Sequence, residues 1–138
     1  MTTYEDEYRR TRAAYAPPPT KKRGKTPEAK VSAALDTYLK TIGAITIRTN
    51  AGTFVGESGN VVMGAKAGTS DKTCCLPGGV FCAVEAKSAT GKLSEAQARY
   101  GERVRRLGGL YIVARSVAAL RAALVDHFGA DVVARWEH

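Results

Sequence analysis

Asp71, Glu85 and Lys87 are the residues whose types and spacing could do chemistry. Glu85 and Lys87 close the run Val80-Phe81-Cys82-Ala83-Val84-Glu85-Ala86-Lys87, whose apolar, β-branched and aromatic start predicts a buried strand. Side chains alternate across a strand, so Glu85 and Lys87 fall on one face, with Phe81 and Ala83 before them. A carboxylate and an ammonium therefore emerge side by side where a core strand reaches the surface. Asp71 stands at the predicted start of another strand, after the glycine-rich stretch Gly64-Ala65-Lys66-Ala67-Gly68-Thr69-Ser70. Two carboxylates converging from neighbouring strands make a hard oxygen site suited to Mg²⁺ or Mn²⁺, which keep several waters and bind phosphate directly. Lys87 could orient or deprotonate an attacking water and hold a phosphate. Phosphodiester hydrolysis needs such parts: charge neutralised on the phosphoryl oxygens, a nucleophile made from water, and a stabilised leaving oxygen. The competing reading is a solvated strand end with a surface ion pair, and for Asp71 a turn residue.

Two more polar residues enter from predicted helices. Thr26-Pro27-Glu28 reads as a helix start, with Thr26 as cap, Pro27 in the first helical position and Glu28 opposing the dipole. Val31, Ala34, Leu35, Tyr38, Leu39 and Ile42 then form a stripe of 3.6-residue period that Gly43 ends. Glu28 lies three residues before Val31, near the buried edge, so it is either a dipole-compensating surface residue or a member of the site, holding a water or a second metal. A second helix starts at Leu93-Ser94-Glu95-Ala96-Gln97, where Ser94 and Gln97 fit a capping box. That box explains Gln97 in structural terms; the alternative is that it positions Lys87 or substrate.

The 138 residues, 44% of them hydrophobic, suffice for one core. Twenty-one Lys and Arg against thirteen Asp and Glu give a net charge of +8, which favours a polyanionic partner such as nucleic acid. No apolar run approaches the ~20 residues of a membrane span and no signal peptide opens the chain, so a soluble, intracellular protein is expected. Cys74, Cys75 and Cys82 match neither a secreted disulfide framework nor a usual zinc spacing. Residues 1–25 read as a basic, Pro-rich tail that includes Pro17-Pro18-Pro19 and Lys21-Lys22-Arg23, and carry half of the net charge. The tail is either a nucleic-acid-binding arm or a solubilising terminus. Arg99, Arg103, Arg105 and Arg106 lie largely off the buried stripe of the second helix and face phosphates or water. The glycine-rich stretch lacks the Gly-Lys-Ser/Thr ending of a P-loop, and no helix pattern follows it.

The predicted order is helix, antiparallel strands, the Glu85 strand, helix, a short strand at Leu110-Tyr111-Ile112-Val113-Ala114, and a helix from Ser116 to Phe128. Asp131 to Trp136 adds a last short turn that packs on the body or on a second subunit. This is an α/β domain over residues 26–128, with a helical extension at 129–138. Glu28, then Gly68-Thr69-Ser70-Asp71, Val84-Glu85-Ala86-Lys87, Gly91-Lys92-Leu93-Ser94-Glu95-Ala96-Gln97 and Gly108-Gly109-Leu110-Tyr111-Ile112-Val113-Ala114 follow one another in a pattern that resembles the PD-(D/E)XK nucleases, and within them the VRR-NUC group. The resemblance covers about residues 26–125. The family usually has Pro before its first Asp and an apolar residue after it; here Ser70 and Lys72 stand there.

The resemblance implies a restriction-endonuclease-like mixed central sheet flanked by helices in the order α-β-β-β-α-β-α. It implies Mg²⁺- or Mn²⁺-dependent hydrolysis of DNA, with Asp71, Glu85 and the Ala86 carbonyl on the metal and Lys87, Gln97 and Glu28 completing the catalytic set. It further implies small, often bacteriophage-encoded enzymes acting on branched DNA such as Holliday junctions, as homodimers. Lys66, Lys92, Arg99, Arg103, Lys21, Lys22 and Arg23 are the expected nucleic-acid contacts. A non-catalytic nucleic-acid-binding module on the same fold is the alternative.

Overall fold

The computed structural model describes residues 26–49, 53–55, 61–63 and 68–138, together with Thr3, Glu5, Asp6 and Arg10. Lys21, Lys22, Arg23 and Lys66, and most of the expected tail, lie outside the described residues. Helix α1 spans Pro27–Thr41; the Thr26 hydroxyl caps it by accepting from the Ala29 N–H at 3.2 Å. It stops at Gly43, whose φ of 82° is the left-handed conformation glycine adopts without strain. Strand β1 follows at Ile45–Arg48, then a hairpin of β2 (Thr53–Val55) and β3 (Val61–Met63), then β4 (Lys72–Leu76) and β5 (Val80–Ala86). Helix α2 (Glu95–Arg106), strand β6 (Leu110–Ala114) and helices α3 (Val117–Phe128) and α4 (Ala130–Trp136) complete the order.

The central sheet runs β1-β4-β5-β6, antiparallel at the first two pairings and parallel between β5 and β6. In chain order the described elements are one helix, five strands, a helix, a strand and two helices, two strands and one helix more than the expected α-β-β-β-α-β-α. The β2–β3 hairpin is a separate two-stranded sheet, and α4 is appended.

Strand alternation sorts β5 into two faces. Cys82, Val84 and Ala86 point to the main core, where they meet Leu35 and Leu39 of α1, Leu120 and Leu124 of α3, and Val133 of α4. Cys82 is thus the small core residue its position predicts, with no exposed surface. Ala83 points the other way, into a smaller cluster with Val104 of α2 and Tyr111 of β6. Helix α2 lies so close there that a Cβ on Gly101 would sit 2.4 Å from the Tyr111 ring. Among the described residues no helix covers the half of this face formed by β1 and β4, where Ile45 and Ile47 are 70% and 64% exposed, and Phe81 of β5 beside it is 47% exposed.

The C-terminal extension belongs to the body. The Glu137 carboxylate accepts from the Arg121 guanidinium of α3 at 3.0–3.1 Å and from the Tyr38 hydroxyl of α1 at 3.3 Å, closing α4 onto both helices.

Candidate active site

The register of β4 against β5 pairs Lys72 with Val84, so one further step sets Asp71 opposite Glu85. The Asp71 N–H donates to Glu85 Oε2 at 3.3 Å, and Asp71 Oδ2 accepts from the Ala86 N–H at 2.9 Å. Each chain thus holds the other's carboxylate. The approach to Asp71 is fixed by Gly68, which has a φ of +87° and passes so near α2 that a Cβ would lie 2.6 Å from the Ala96 carbonyl. No other residue type meets both conditions without strain.

Lys87 follows the end of β5, where its N–H donates to the Ala114 carbonyl at 3.1 Å. Its Nζ lies 4.0 Å from Glu85 Oε1 and 3.8 Å from Glu28 Oε1. Glu28 therefore reaches Lys87 from the first turn of α1, where it also opposes the helix dipole. The Arg115 guanidinium donates to the Ser88 carbonyl, pinning the chain that leaves Lys87.

Gln97 is held in the helix cap and also reaches Glu85. Its Oε1 accepts from the Ser94 N–H at 2.9 Å while the Ser94 hydroxyl accepts from the Gln97 N–H at 3.1 Å, a complete capping box. Its Nε2 donates to Glu85 Oε1 at 2.8 Å. Its partner in the site is thus Glu85 and not Lys87, because the first turn of α2 faces the end of β5.

Glu85 is 1% exposed, and this sets its chemistry. Burial, and then the negative charge of Asp71, push its carboxyl up to about 7, against the opposing pull of Lys87. Such a carboxylate calls for a positive partner. Among the described residues no three His, Cys, Asp or Glu side chains cluster as a ready-made metal cage. Two carboxylates with room for waters and a substrate phosphate are the usual provision for Mg²⁺, so the donor set fits a hard divalent ion. Tyr111 was not singled out by its sequence context, a plain buried strand. Its hydroxyl is buried without a hydrogen-bond partner among the described residues, and burial and the charge of Glu85 raise it to about 12.

Ser70 and Lys72, where the family pattern has Pro and an apolar residue, are both fully buried. Lys72 occupies the apolar position on the core face with its Nζ spent on the Ser32 carbonyl (2.9 Å), the Ser32 hydroxyl (2.8 Å) and Asp36 Oδ1 (2.7 Å). The Ser70 hydroxyl donates to the Lys72 carbonyl at 3.1 Å, bracing the turn that Pro would stiffen. Asp71 therefore keeps its place by other means.

Lys92, Arg99 and Arg103 are exposed, as a nucleic-acid contact requires. Arg105 is exposed too, but it is engaged: it donates to the Tyr111 carbonyl at 3.3 Å and its guanidinium lies 5.3 Å from the Tyr111 ring centre.

No protein-family model and no curated protein matches the chain. A solved structure described as a VRR_NUC domain does, at 24% identity and a TM-score of 0.54, with 75% of this chain and 98% of that chain covered. The likeness is one of fold: a mixed α/β domain like the VRR_NUC domain. No described helix is long and apolar enough to cross a membrane.

Proposed function

We propose that this protein is a nuclease that hydrolyses DNA phosphodiester bonds with Mg²⁺ or Mn²⁺. The observation that carries the reading is the buried Glu85 held against Asp71, with Lys87 Nζ 4.0 Å from it. In a chain of net charge +8, a binding module gains nothing from carboxylates facing a polyanion.

Asp71 and Glu85, with the Ala86 carbonyl, are the groups that would hold the ion. An ion bound there would supply positive charge to the phosphoryl oxygens and Lewis acidity toward water. Gln97 fixes the rotamer of Glu85 and the Ala86 N–H that of Asp71, so neither carboxylate must reorganise during the reaction. Lys87 Nζ, held between Glu28 and Glu85, donates to the scissile phosphate and orients the attacking water. Glu28 steadies Lys87 from the side of α1.

The substrate is branched DNA such as a four-way junction, and the enzyme acts as a homodimer that presents two sites to two strands. The exposed cations and the lack of a base-reading motif favour shape and phosphate recognition over sequence.

The test is cleavage of labelled linear duplex, single-stranded, flap and four-way-junction DNA with Mg²⁺, Mn²⁺ or EDTA, by wild type and Lys87→Ala. Metal-dependent cutting, fastest on the junction and lost in Lys87→Ala, is expected. Wild-type protein that binds these DNAs in a salt-sensitive way and cuts none would replace the nuclease by the binding module.

A further inference from the structure

We propose that Arg48 is a second phosphate anchor of this site, holding a backbone phosphate next to the scissile one in the cleft between the start of α1 and the end of β1. The proposal rests on the nuclease reading for its substrate. A cavity of about 230 Å³ opens there, lined by Thr26 and Glu28 of the α1 terminus, by Arg48 and Thr49, and by Asp71. Asp71 and Glu28 also belong to the cluster described above, so the cavity adjoins the reacting centre on its α1 side. It is smaller than the ~300 Å³ at which pockets begin to enclose drug-sized ligands and has room for a small anionic group.

Arg48 is placed by the sheet. It pairs directly with Lys72, one residue beyond Asp71, and the next residue, Thr49, donates its N–H to the Asp71 carbonyl at 2.8 Å. Directly opposed residues share a face, so Arg48 and Lys72 both point toward α1. The two cations then differ completely. Lys72 is buried, with its Nζ engaged by Ser32 and Asp36, and offers nothing to a ligand. Arg48 is exposed and makes no hydrogen bond or ion pair among the described residues.

Nor do the neighbouring carboxylates claim it. Asp71 Oδ2 is turned to the Ala86 N–H and Glu28 to Lys87. An unengaged guanidinium beside the positive end of a 15-residue helix is arranged to receive an anion, and its planar fork matches two oxygens of one phosphate. The contact is to the backbone and carries no base preference.

The experiment measures binding and turnover separately. Anisotropy of fluorescein-labelled junction DNA is followed over a salt series in EDTA, where no cutting occurs, for wild type, Arg48→Gln and Arg48→Lys. Loss of one phosphate contact is expected to weaken Arg48→Gln about tenfold and to reduce its log–log salt slope by about 0.7–0.9, with Arg48→Lys keeping the slope. In Mg²⁺ the same factor is expected in KM, with kcat within about threefold of wild type. Equal affinity and slope for Arg48→Gln and wild type would make Arg48 a solvated strand end. A loss confined to kcat would likewise overturn the anchor. Because the EDTA series needs no cleavage, it decides Arg48 even if wild type cuts nothing, and wild-type cutting that Arg48→Gln leaves untouched would remove the anchor while leaving the nuclease standing.

Discussion

Replacing Glu85 by Gln should abolish cleavage and yet stabilise the metal-free protein at alkaline pH. The sign follows from linkage. The Glu85 carboxyl titrates near 7 in the folded chain against an ordinary value of 4.5, so between those limits the folded state keeps a proton that the unfolded state has released. Stability therefore falls as pH rises through that window. From pH 5 to pH 8 the loss amounts to about 2.5 kcal/mol for one such group. Gln is neutral throughout and close in shape to the protonated acid, so it lacks this loss while every other titration is shared. In EDTA, thermal unfolding of the two proteins should nearly coincide at pH 5. By pH 8 Glu85→Gln should melt higher by roughly 10 °C, taking ~4 °C per kcal/mol for a domain of this size. Mg²⁺ should reverse the order at pH 8, because an ion that binds only the native wild-type site raises its melting temperature by mass action. Parallel melting curves across pH 5 to 8 in EDTA would refute the argument, since they would show that burying this carboxylate beside Asp71 costs nothing.

Lys72 and Asp36 should answer unequally to mutation: Asp36→Ala strands a buried ammonium and should cost about 3 kcal/mol in urea unfolding, whereas Lys72→Met, apolar and of similar length, should cost about 1 kcal/mol or less. Near-equal losses would mean that Lys72 finds water when Asp36 is gone. Gln97→Ala and Ser94→Ala both break the α2 capping box and should each cost about 1 kcal/mol, but only Gln97→Ala frees Glu85 and should weaken the Mg²⁺-induced rise in melting temperature, in line with the ~10–100-fold affinity loss typical of removing a ligand's supporting hydrogen bond. Equal Mg²⁺ responses from the two variants would confine Gln97 to capping.

The arrangement of the candidate site is legible where local rules determine it. Strand alternation places Glu85 and Lys87 together, and helix-start chemistry finds both Thr26 and Ser94. For Glu28 and Gln97 the local rules offer a helix-end role and a place in the site as rivals, yet each side chain serves its own helix start and also reaches the Glu85–Lys87 pair. A helix terminus packed against a strand end lets one group serve two neighbours, a fact of tertiary geometry that spacing does not carry. Hydropathy fails at Lys72, a cation in the core, because its acceptors Ser32 and Asp36 lie 40 and 36 residues away. It fails in the other direction at Ile45 and Ile47, whose alternation with Thr46 and Arg48 suggests a covered face. Helix α2 covers only the β5–β6 half, and this depends on how far one helix reaches across four strands.

Lys72 also bears on descent. A lysine in the core is tolerable only where its acceptors already stand, so Lys72, Ser32 and Asp36 should be inherited as one unit. A lineage passing from an apolar residue to Lys at this position would gain Asp36 first, where at about one-third exposure it costs little while waiting, and Lys72 second. The reverse route crosses an intermediate with an unpaired buried charge. Relatives of this chain should therefore carry the acid without the lysine far more often than the lysine without the acid.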